Sequence, residues 1–322
     1  MRYTISLSVA TLLLASAAAA EVPKVVTDIP PVHSLVAMVM GDLGQPDLLV
    51  DKGADAHDFQ LRPSQAAALT DAALIVWMGH EMTPWLKRTL EGLETKATHV
   101  ELLVAAETET IAYGEDAAHD HAAEGEAHAE GETHAEVETP ADGEGHPHEG
   151  LDPHAWLDPH NASAWLALIA DQLSALDPAN AAIYASNATA GTAQIAAVEA
   201  EIVTLLAPVK TKSFVVYHDA YGYFAGHFGL TVAGELALGD AASPSAAKLA
   251  ELRETLITGS PVCIFPEANH DPKLLTQIAE GTPIMIGDAL DPEGSTLPPG
   301  PGLYSDLMRG LATTLASCLT KS

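Results

Sequence analysis

The chain has 322 residues and a formal net charge of −30, because 44 Asp and Glu residues stand against 14 Lys and Arg residues. This acidity argues against nucleic acid as a partner, since little in the chain could neutralise phosphates, and it favours cations. A hydrophobic content of 48% over this length suffices for one large core or two medium ones.

Residues 1–20 have the pattern of a cleavable secretory signal. Arg2 supplies the positive start, an apolar run covers residues 5–15, and Ala18 to Ala20 are the small residues that a signal peptidase requires. The run is too short to span a bilayer, and no later stretch reads as a membrane span. We therefore expect cleavage before Glu21 and an exported protein that is not inserted in a membrane.

Short apolar runs alternate with helical patterns through the first part of the mature chain. The predicted strands cover residues 25–29, 47–50, 73–78 and 99–102, and the predicted helices cover 33–40, 63–70 and 83–93. Pro63 stands at a first helical position, where its missing N–H costs nothing. Alternation of this kind predicts a parallel sheet with crossover helices.

Residues 113–150 form a tract of Ala, Glu, His and Gly with few large apolar side chains. It cannot bury enough apolar surface to offset its chain entropy, so we expect it to be disordered without metal. Its irregularly spaced imidazoles indicate several weak metal sites, and a solvated insertion without function is the alternative. The tract histidines are His119, His121, His128, His134, His146 and His148.

Two helices are predicted after the tract, over residues 161–176 and 179–206. The second is about 40 Å long at 1.5 Å per residue, which suits a spacer between two lobes. Strand–helix alternation then resumes, with strands at 213–217, 230–233, 262–265 and 283–286 and helices at 221–228, 245–258, 271–280 and 304–319.

The predicted fold class is α/β, with two (β/α) lobes that contain parallel sheets and are joined by one long helix. We divide the chain into a signal at 1–20, an N-terminal lobe at 21–176 that includes the tract, a linking helix at 177–207 and a C-terminal lobe at 208–322. Ligands of open α/β sheets bind beyond the carboxyl ends of the strands, so the cleft between the lobes is the expected site.

Three histidines outside the tract lie at or near predicted strand and helix ends: His57, His154 and His218. A single histidine in such a place is more often a satisfied structural residue, but three from two lobes indicate a metal site. Three imidazoles and one oxygen form a tetrahedral set that zinc accepts without strain. Calcium and magnesium prefer oxygen ligands alone, and manganese prefers a more oxygen-rich set.

The segments GADAHDFQLRPSQAAALTDAALIVWMG, DPHAWLDP, VVYHDAYGYF and LDPEG resemble the zinc-specific solute-binding proteins of bacterial ABC importers, the cluster A-I group. The resemblance covers essentially the whole mature chain. It implies a periplasmic, non-enzymatic protein, expected to be a monomer, that captures Zn²⁺ between its lobes and hands it to permease and ATPase subunits. Carried over by motif, it implies His57, His154 and His218 as the ligands.

The fourth ligand is left open by the pattern. Some relatives carry an acidic residue just before the first histidine, where this chain has Ala56. Asp288 follows a predicted strand near the place where other members have a ligand Asp, although the local spacing differs by about one residue. The alternatives to Asp288 are a water molecule or a residue of the tract.

Further polar residues lie near these motifs. His80 and Glu81 follow a predicted strand and are expected to support the site or to be exposed. Asp158 either orients the imidazole of His154 or caps the helix that follows it.

The two cysteines, Cys263 and Cys318, indicate a disulfide in an exported protein, which would join the last helix to a core strand. The loop that it closes corresponds to roughly 3–4 kcal/mol of chain entropy. Two buried free thiols are the alternative.

Other functions compete with zinc uptake. One is a manganese-binding member of the same group, and another is a zinc-buffering factor associated with adhesion. A third is a zinc hydrolase that would use Glu81 or Asp219 as a base, although the chain has no HExxH-type helix.

Overall fold

The computed structural model describes residues 21–50, 52–112, 150–237, 244–259 and 261–321. The expected signal at 1–20 and tract residues 113–149, which include all six tract histidines, lie outside the described residues, so those expectations stay predictions.

The first sheet is parallel throughout and has the strand order β2-β1-β3-β4. Its strands are β1 Val25–Thr27, β2 Asp47–Leu48, β3 Leu74–Trp77 and β4 Thr98–Glu101. The crossover helices are α1 Pro30–Met40, α2 Pro63–Asp71 and α3 Pro84–Gly92, each with Pro in its first turn. Every residue of β1 and β3 is buried, as expected for central strands with both faces covered.

The second sheet repeats this arrangement with the parallel order β6-β5-β7-β8. Its strands are β5 Ser213–His218, β6 Thr231–Ala237, β7 Pro261–Ile264 and β8 Met285–Ile286. Its helices are α6 Gly222–Phe228, α7 Ala246–Thr258, α8 Lys273–Ala279 and α9 Leu303–Leu319. The strand order reverses between β1 and β3 and again between β5 and β7, and such reversal points are where α/β sheets bind ligands.

Helices α4 Pro159–Leu176 and α5 Ala181–Leu206 connect the two sheets. Gly191 of α5 allows the two helices to approach closely, because an added Cβ there would lie 2.8 Å from Leu166 Cδ1. The buried stripe of α5, which packs against α1, α4 and α9, consists of Tyr184, Ala188, Gly191, Ile195, Val198, Ile202 and Leu206.

Contrary to our expectation that no later stretch reads as a membrane span, the helical stretch Pro178–Val209 is long and apolar enough to cross a membrane, by length and composition alone. Its buried stripe packs inside the fold, however, and Glu199 and Glu201 on the same helix pair with His227 and Arg309. Its apolar character therefore serves the packing between helices.

The C-terminal helix closes the structure. The backbone N–H of Tyr304 in α9 donates to Ser34 Oγ of α1, and the disulfide Cys263–Cys318 joins α9 to β7. The predicted disulfide and the predicted α/β class with two parallel sheets and a long helix are confirmed, with element ends shifted by a few residues. The largest shift is at β6, which continues to Ala237.

Candidate metal-binding site

Two of the predicted ligand histidines face each other between the two sheets. His154 and His218 are both buried, with relative exposures of 1% and 2%. Their ring centroids are 5.2 Å apart, and their Nε2 atoms are 3.4 Å apart. The structure thus brings together two residues that are 64 positions apart in sequence.

A carboxylate holds the far side of each ring. Asp152 Oδ1 lies 2.7 Å from Nδ1 of His154, and Glu267 Oε2 lies 2.6 Å from Nδ1 of His218. When the proton of each ring is on Nδ1, the ring donates to its carboxylate and its Nε2 is available as a metal ligand. Two buried imidazoles whose Nε2 atoms lie this close are a candidate pair of metal ligands.

The spacing agrees with tetrahedral coordination. An ion with ligands at about 2.0–2.1 Å places neighbouring ligand atoms about 3.3–3.4 Å apart. The observed separation of 3.4 Å between the Nε2 atoms matches this value. The third predicted ligand, His57, has its ring centroid 5.7 Å from that of His154, close to the 5.2 Å between His154 and His218.

The fold positions each ring differently. His218 is the last residue of β5, at the point where the strand order of the second sheet reverses. His57 lies in the loop after β2, where Asp55 Oδ1 accepts from its backbone N–H and Trp85 Nε1 donates to the carbonyl of Ala56. The indole therefore fixes the loop that carries this half-buried ring.

His154 is held where the chain returns from the tract. Ala112 and Leu151 form an isolated antiparallel bridge, and the N–H of Asp152 donates to the carbonyl of Ile111 at 2.8 Å. The same Asp152 then accepts from the backbone N–H and the ring of His154. The two ends of the tract are thus clasped together next to this histidine.

The surroundings of the site are strongly acidic. Burial raises the pKa of Asp219, the residue after His218, and the negative charges of Asp152 and Glu235 raise it further. The cavity beside His218 is lined by Asp55, His218, Glu267, Ala268, Asn269, His270, Asp291, Pro292 and Glu293. This concentration of negative charge favours a cation.

Hydrogen bonds join the two sides of the site. The N–H of Gly53 donates to the carbonyl of Ser295 at 3.1 Å, and Trp156 Nε1 donates to the carbonyl of Pro292 at 2.8 Å. Tyr304 donates through its hydroxyl to the carbonyl of Trp156. The structure therefore has the cleft in a closed arrangement.

The structure does not bring Asp288 to this cavity. The strand β8 ends at Ile286, and Asp288 is exposed in the loop that follows. The chain turns inward at the buried Leu290, so Asp291 is the residue that reaches the cavity. The carboxylate of Asp291 accepts from the backbone N–H groups of Ser295 and Thr296, which gives it a role in the turn.

The structure also shows where His80, Glu81 and Asp158 lie. The exposed His80 forms a cluster with the partly buried Glu81 and Glu101, in which His80 Nδ1 is 3.1 Å from Glu81 and 3.2 Å from Glu101. Asp158 caps α4 by accepting from the N–H of His160, so its capping interpretation is confirmed. The carboxylate that orients His154 is Asp152.

Sequence reasoning missed Asp152 and Glu267. Glu267 follows β7 by three residues, at the same strand-order reversal as His218, and its Oε1 also accepts from the hydroxyl of Tyr221 at 2.9 Å. An acidic residue just beyond a buried strand was the available signal. Asp152 stands two residues before a candidate ligand, which is a short enough separation for a side chain to reach its neighbour's ring.

We expect Glu267→Gln to weaken metal binding by about 10–100-fold, because partners that orient a ligand imidazole have effects of this size. A Gln side chain cannot accept from both His218 and Tyr221, since one of its two terminal atoms is a donor. Competition titration with a chelator measures the change. Glu251→Gln, on the exposed face of α7, is the matched control, and equal affinities of the two variants would contradict the role of Glu267.

Comparisons with known proteins agree with this picture. The family described as zinc-uptake complex component A, periplasmic, matches residues 25–318. The high-affinity zinc uptake system protein ZnuA of Paracoccus denitrificans (strain Pd 1222) is 51% identical over 304 residues, which cover 94% of this chain and 93% of the relative. The protein of the same name from Brucella suis biovar 1 is 39% identical over 316 residues, covering 95% and 94%.

Solved structures share the fold. The crystal structure of ZnuA is similar with a TM-score of 0.70 and 23% identity, covering 92% of this chain and 99% of that one. The laminin-binding protein Lmb of Streptococcus agalactiae, described as a bifunctional protein with adhesin and metal transporting activity, gives a TM-score of 0.70 at 24% identity over 92% and 99% of the two chains. At these identities the similarity concerns the fold alone.

Proposed function

Because the chain belongs to the periplasmic zinc-uptake complex component A family, we propose that it captures Zn²⁺ through His57, His154 and His218 and delivers it to an ABC-type permease. Members of this family are solute-binding components of zinc uptake and not enzymes. Zinc is therefore the transported ligand, and the permease and ATPase subunits are the partners.

One observation supports the ligand assignment above the others. The Nε2 atoms of His154 and His218 are 3.4 Å apart, while a buried carboxylate occupies the Nδ1 side of each ring. A captured ion would form one coordinate bond with each Nε2 atom. His57 supplies the third nitrogen, with its ring centroid 5.7 Å from that of His154.

This arrangement gives a mechanism for capture and release. His57 and His154 lie in the proposed lobe 21–176 and His218 lies in the lobe 208–322, and the N–H of Gly53 donates to the carbonyl of Ser295 across the cleft. Closure of the cleft completes the ligand set, and opening separates His218 from the other two histidines. Delivery then requires only that the permease favours the open arrangement.

For the fourth ligand we propose a water molecule or a tract residue, since Asp288 is exposed outside the cavity. The carboxylates that line the cavity, such as those of Asp55 and Glu293, are further candidates because they are already beside His218. The three imidazoles favour zinc over manganese, which prefers a more oxygen-rich set.

The remaining features of the proposal concern the whole chain. We propose that residues 1–20 are removed on export, that the lobes are 21–176 and 208–322 with the linking helix at 177–207, and that the protein acts as a monomer in the periplasm. The tract histidines hold zinc weakly and exchange it, which raises its concentration near the cleft.

Growth of cells that lack this chain tests the proposed function. We expect poor growth in zinc-depleted medium, restored by added zinc or by the parental gene but not by a gene with His154→Ala and His218→Ala. A gene with His99→Ala, on the exposed edge of β4, is the matched control and is expected to restore growth. Restoration by manganese and not by zinc would contradict the proposal.

A further inference from the structure

A second group of metal-binding side chains lies where three helices meet. His227 of α6 has its Nδ1 3.0 Å from Asp158 Oδ1, at the start of α4, and its Nε2 3.0 Å from Glu199 Oε1 of α5. The ring of His160, in the first turn of α4, meets the ring of His227 edge-on with centroids 5.5 Å apart. None of these residues belongs to the cleft site.

We propose that Asp158, His160 and His227 form a second site for a divalent transition-metal ion, with zinc as the natural occupant. One potential ligand atom from each of the three lies within 4.8 Å of the others. Two imidazoles and one carboxylate are donors that zinc accepts, and water completes a tetrahedral set. This site goes beyond the proposed uptake function and does not depend on it.

The geometry resembles that of the cleft in one respect. When Nδ1 of His227 faces the ion, Nε2–H donates to Glu199, so a carboxylate again orients a ligand imidazole from behind. The side chains of Asp158 and His227 are 11% and 12% exposed and are therefore largely held in place. His160 is exposed, and its ring meets that of His227 edge-on.

Charge also favours a cation at this place. The carboxylates of Asp158 and Glu199 each lie 3.0 Å from a ring nitrogen of His227. The pKa of the buried Tyr304 is raised first by burial and then by the charges of Asp158 and Glu199. The N-terminus of α4 carries roughly half a positive charge, which disfavours a cation. The two negative charges of Asp158 and Glu199 are larger and of the opposite sign.

An occupied site would tie the start of α4 to α6, and through Glu199 to α5. The segment that carries His218 directly precedes α6, so the second site is adjacent along the chain to the cleft.

The test requires a readout that identifies the site, because the tract histidines also take up zinc. Crystals of the full mature chain loaded with two equivalents of zinc are expected to show anomalous scattering at Asp158, His160 and His227 as well as in the cleft. We expect His227→Gln to abolish only the second peak and His218→Gln to weaken only the peak in the cleft. A cleft peak without a peak at the cluster in the parental chain would overturn the proposal.

A solution measurement covers the case in which His227→Gln disturbs packing. His160 is exposed, so His160→Gln is expected to keep the fold and to weaken zinc binding at the second site by roughly tenfold or more. The imidazole NMR signals of His227 during zinc titration report this site directly, with His99→Gln as the matched control. Unchanged signals in the parental chain at two equivalents would also overturn the proposal.

Discussion

Replacing His218 by Ala is expected to lower the affinity of the mature chain for Zn²⁺ by about a thousandfold or more, which corresponds to roughly 4 kcal/mol. The change removes one coordinate bond and leaves the buried carboxylate of Glu267 without the ring that it holds at 2.6 Å. An unpaired buried charge adds its own cost to the lost ligand.

Competition titration against a chelator measures this loss, since direct titration does not resolve tight binding. We expect His154→Ala to have a similar effect, because Asp152 would lose the same kind of partner. His57→Ala is expected to have a smaller effect, since the remaining pair stays in place. His99→Ala, on the exposed edge of β4, is expected to have none.

Zinc binding by these variants distinguishes the cleft from other metal sites in the chain. Tight zinc binding retained by both His154→Ala and His218→Ala would show that the ion is held elsewhere, for instance by the tract. Loss of binding with unchanged unfolding behaviour of the metal-free variants would place the effect at the ligands themselves.

Removal of the disulfide is expected to lower the free energy of unfolding by roughly 4 kcal/mol, from the chain entropy of a loop of this length. Cys263 and Cys318 are 55 residues apart in sequence, and both are buried. The bond fixes the end of α9 to β7, while the start of the helix contributes Tyr304 to the packing around Trp156. Loss of the bond therefore weakens the support of the cleft from one side.

Denaturant unfolding of the metal-free chain tests this expectation, with the double variant Cys263→Ala and Cys318→Ala compared with the parental protein. Reductant should lower the midpoint of the parental chain and leave that of the double variant unchanged. Equal midpoints for the oxidised parental chain and the double variant would contradict a stabilising role for the bond.

Periodicity and turn residues predicted both sheets and their helices, because central parallel strands are short apolar runs. Proline marked the start of α2 correctly, whereas α1 begins at Pro30, before its predicted start at His33. The three candidate ligand histidines could also be identified from sequence, because three such residues from two lobes, in motifs that resemble a known family, point to one site. His218 at the end of β5 is the clearest example.

The carboxylates could not be assigned in the same way. Asp152 and Asp158 flank His154 at short separations, and only the turn that buries the ring determines which of them reaches it. Glu267 meets His218 from 49 residues away, through the pairing of β5 with β7. The sequence analysis proposed Asp288 and did not consider Asp291, whereas the path of the chain after β8 puts Asp291 at the cavity.

The clasp between Ala112 and Leu151 has a consequence for how this protein can change over evolutionary time. Because the chain departs and re-enters at a single point, residues can be gained or lost between those anchors without altering the register of anything beyond them. The closure entropy of a long segment grows only slowly with length, so such changes carry little thermodynamic penalty. Changes in the length of this segment therefore leave the position of His154 unaltered.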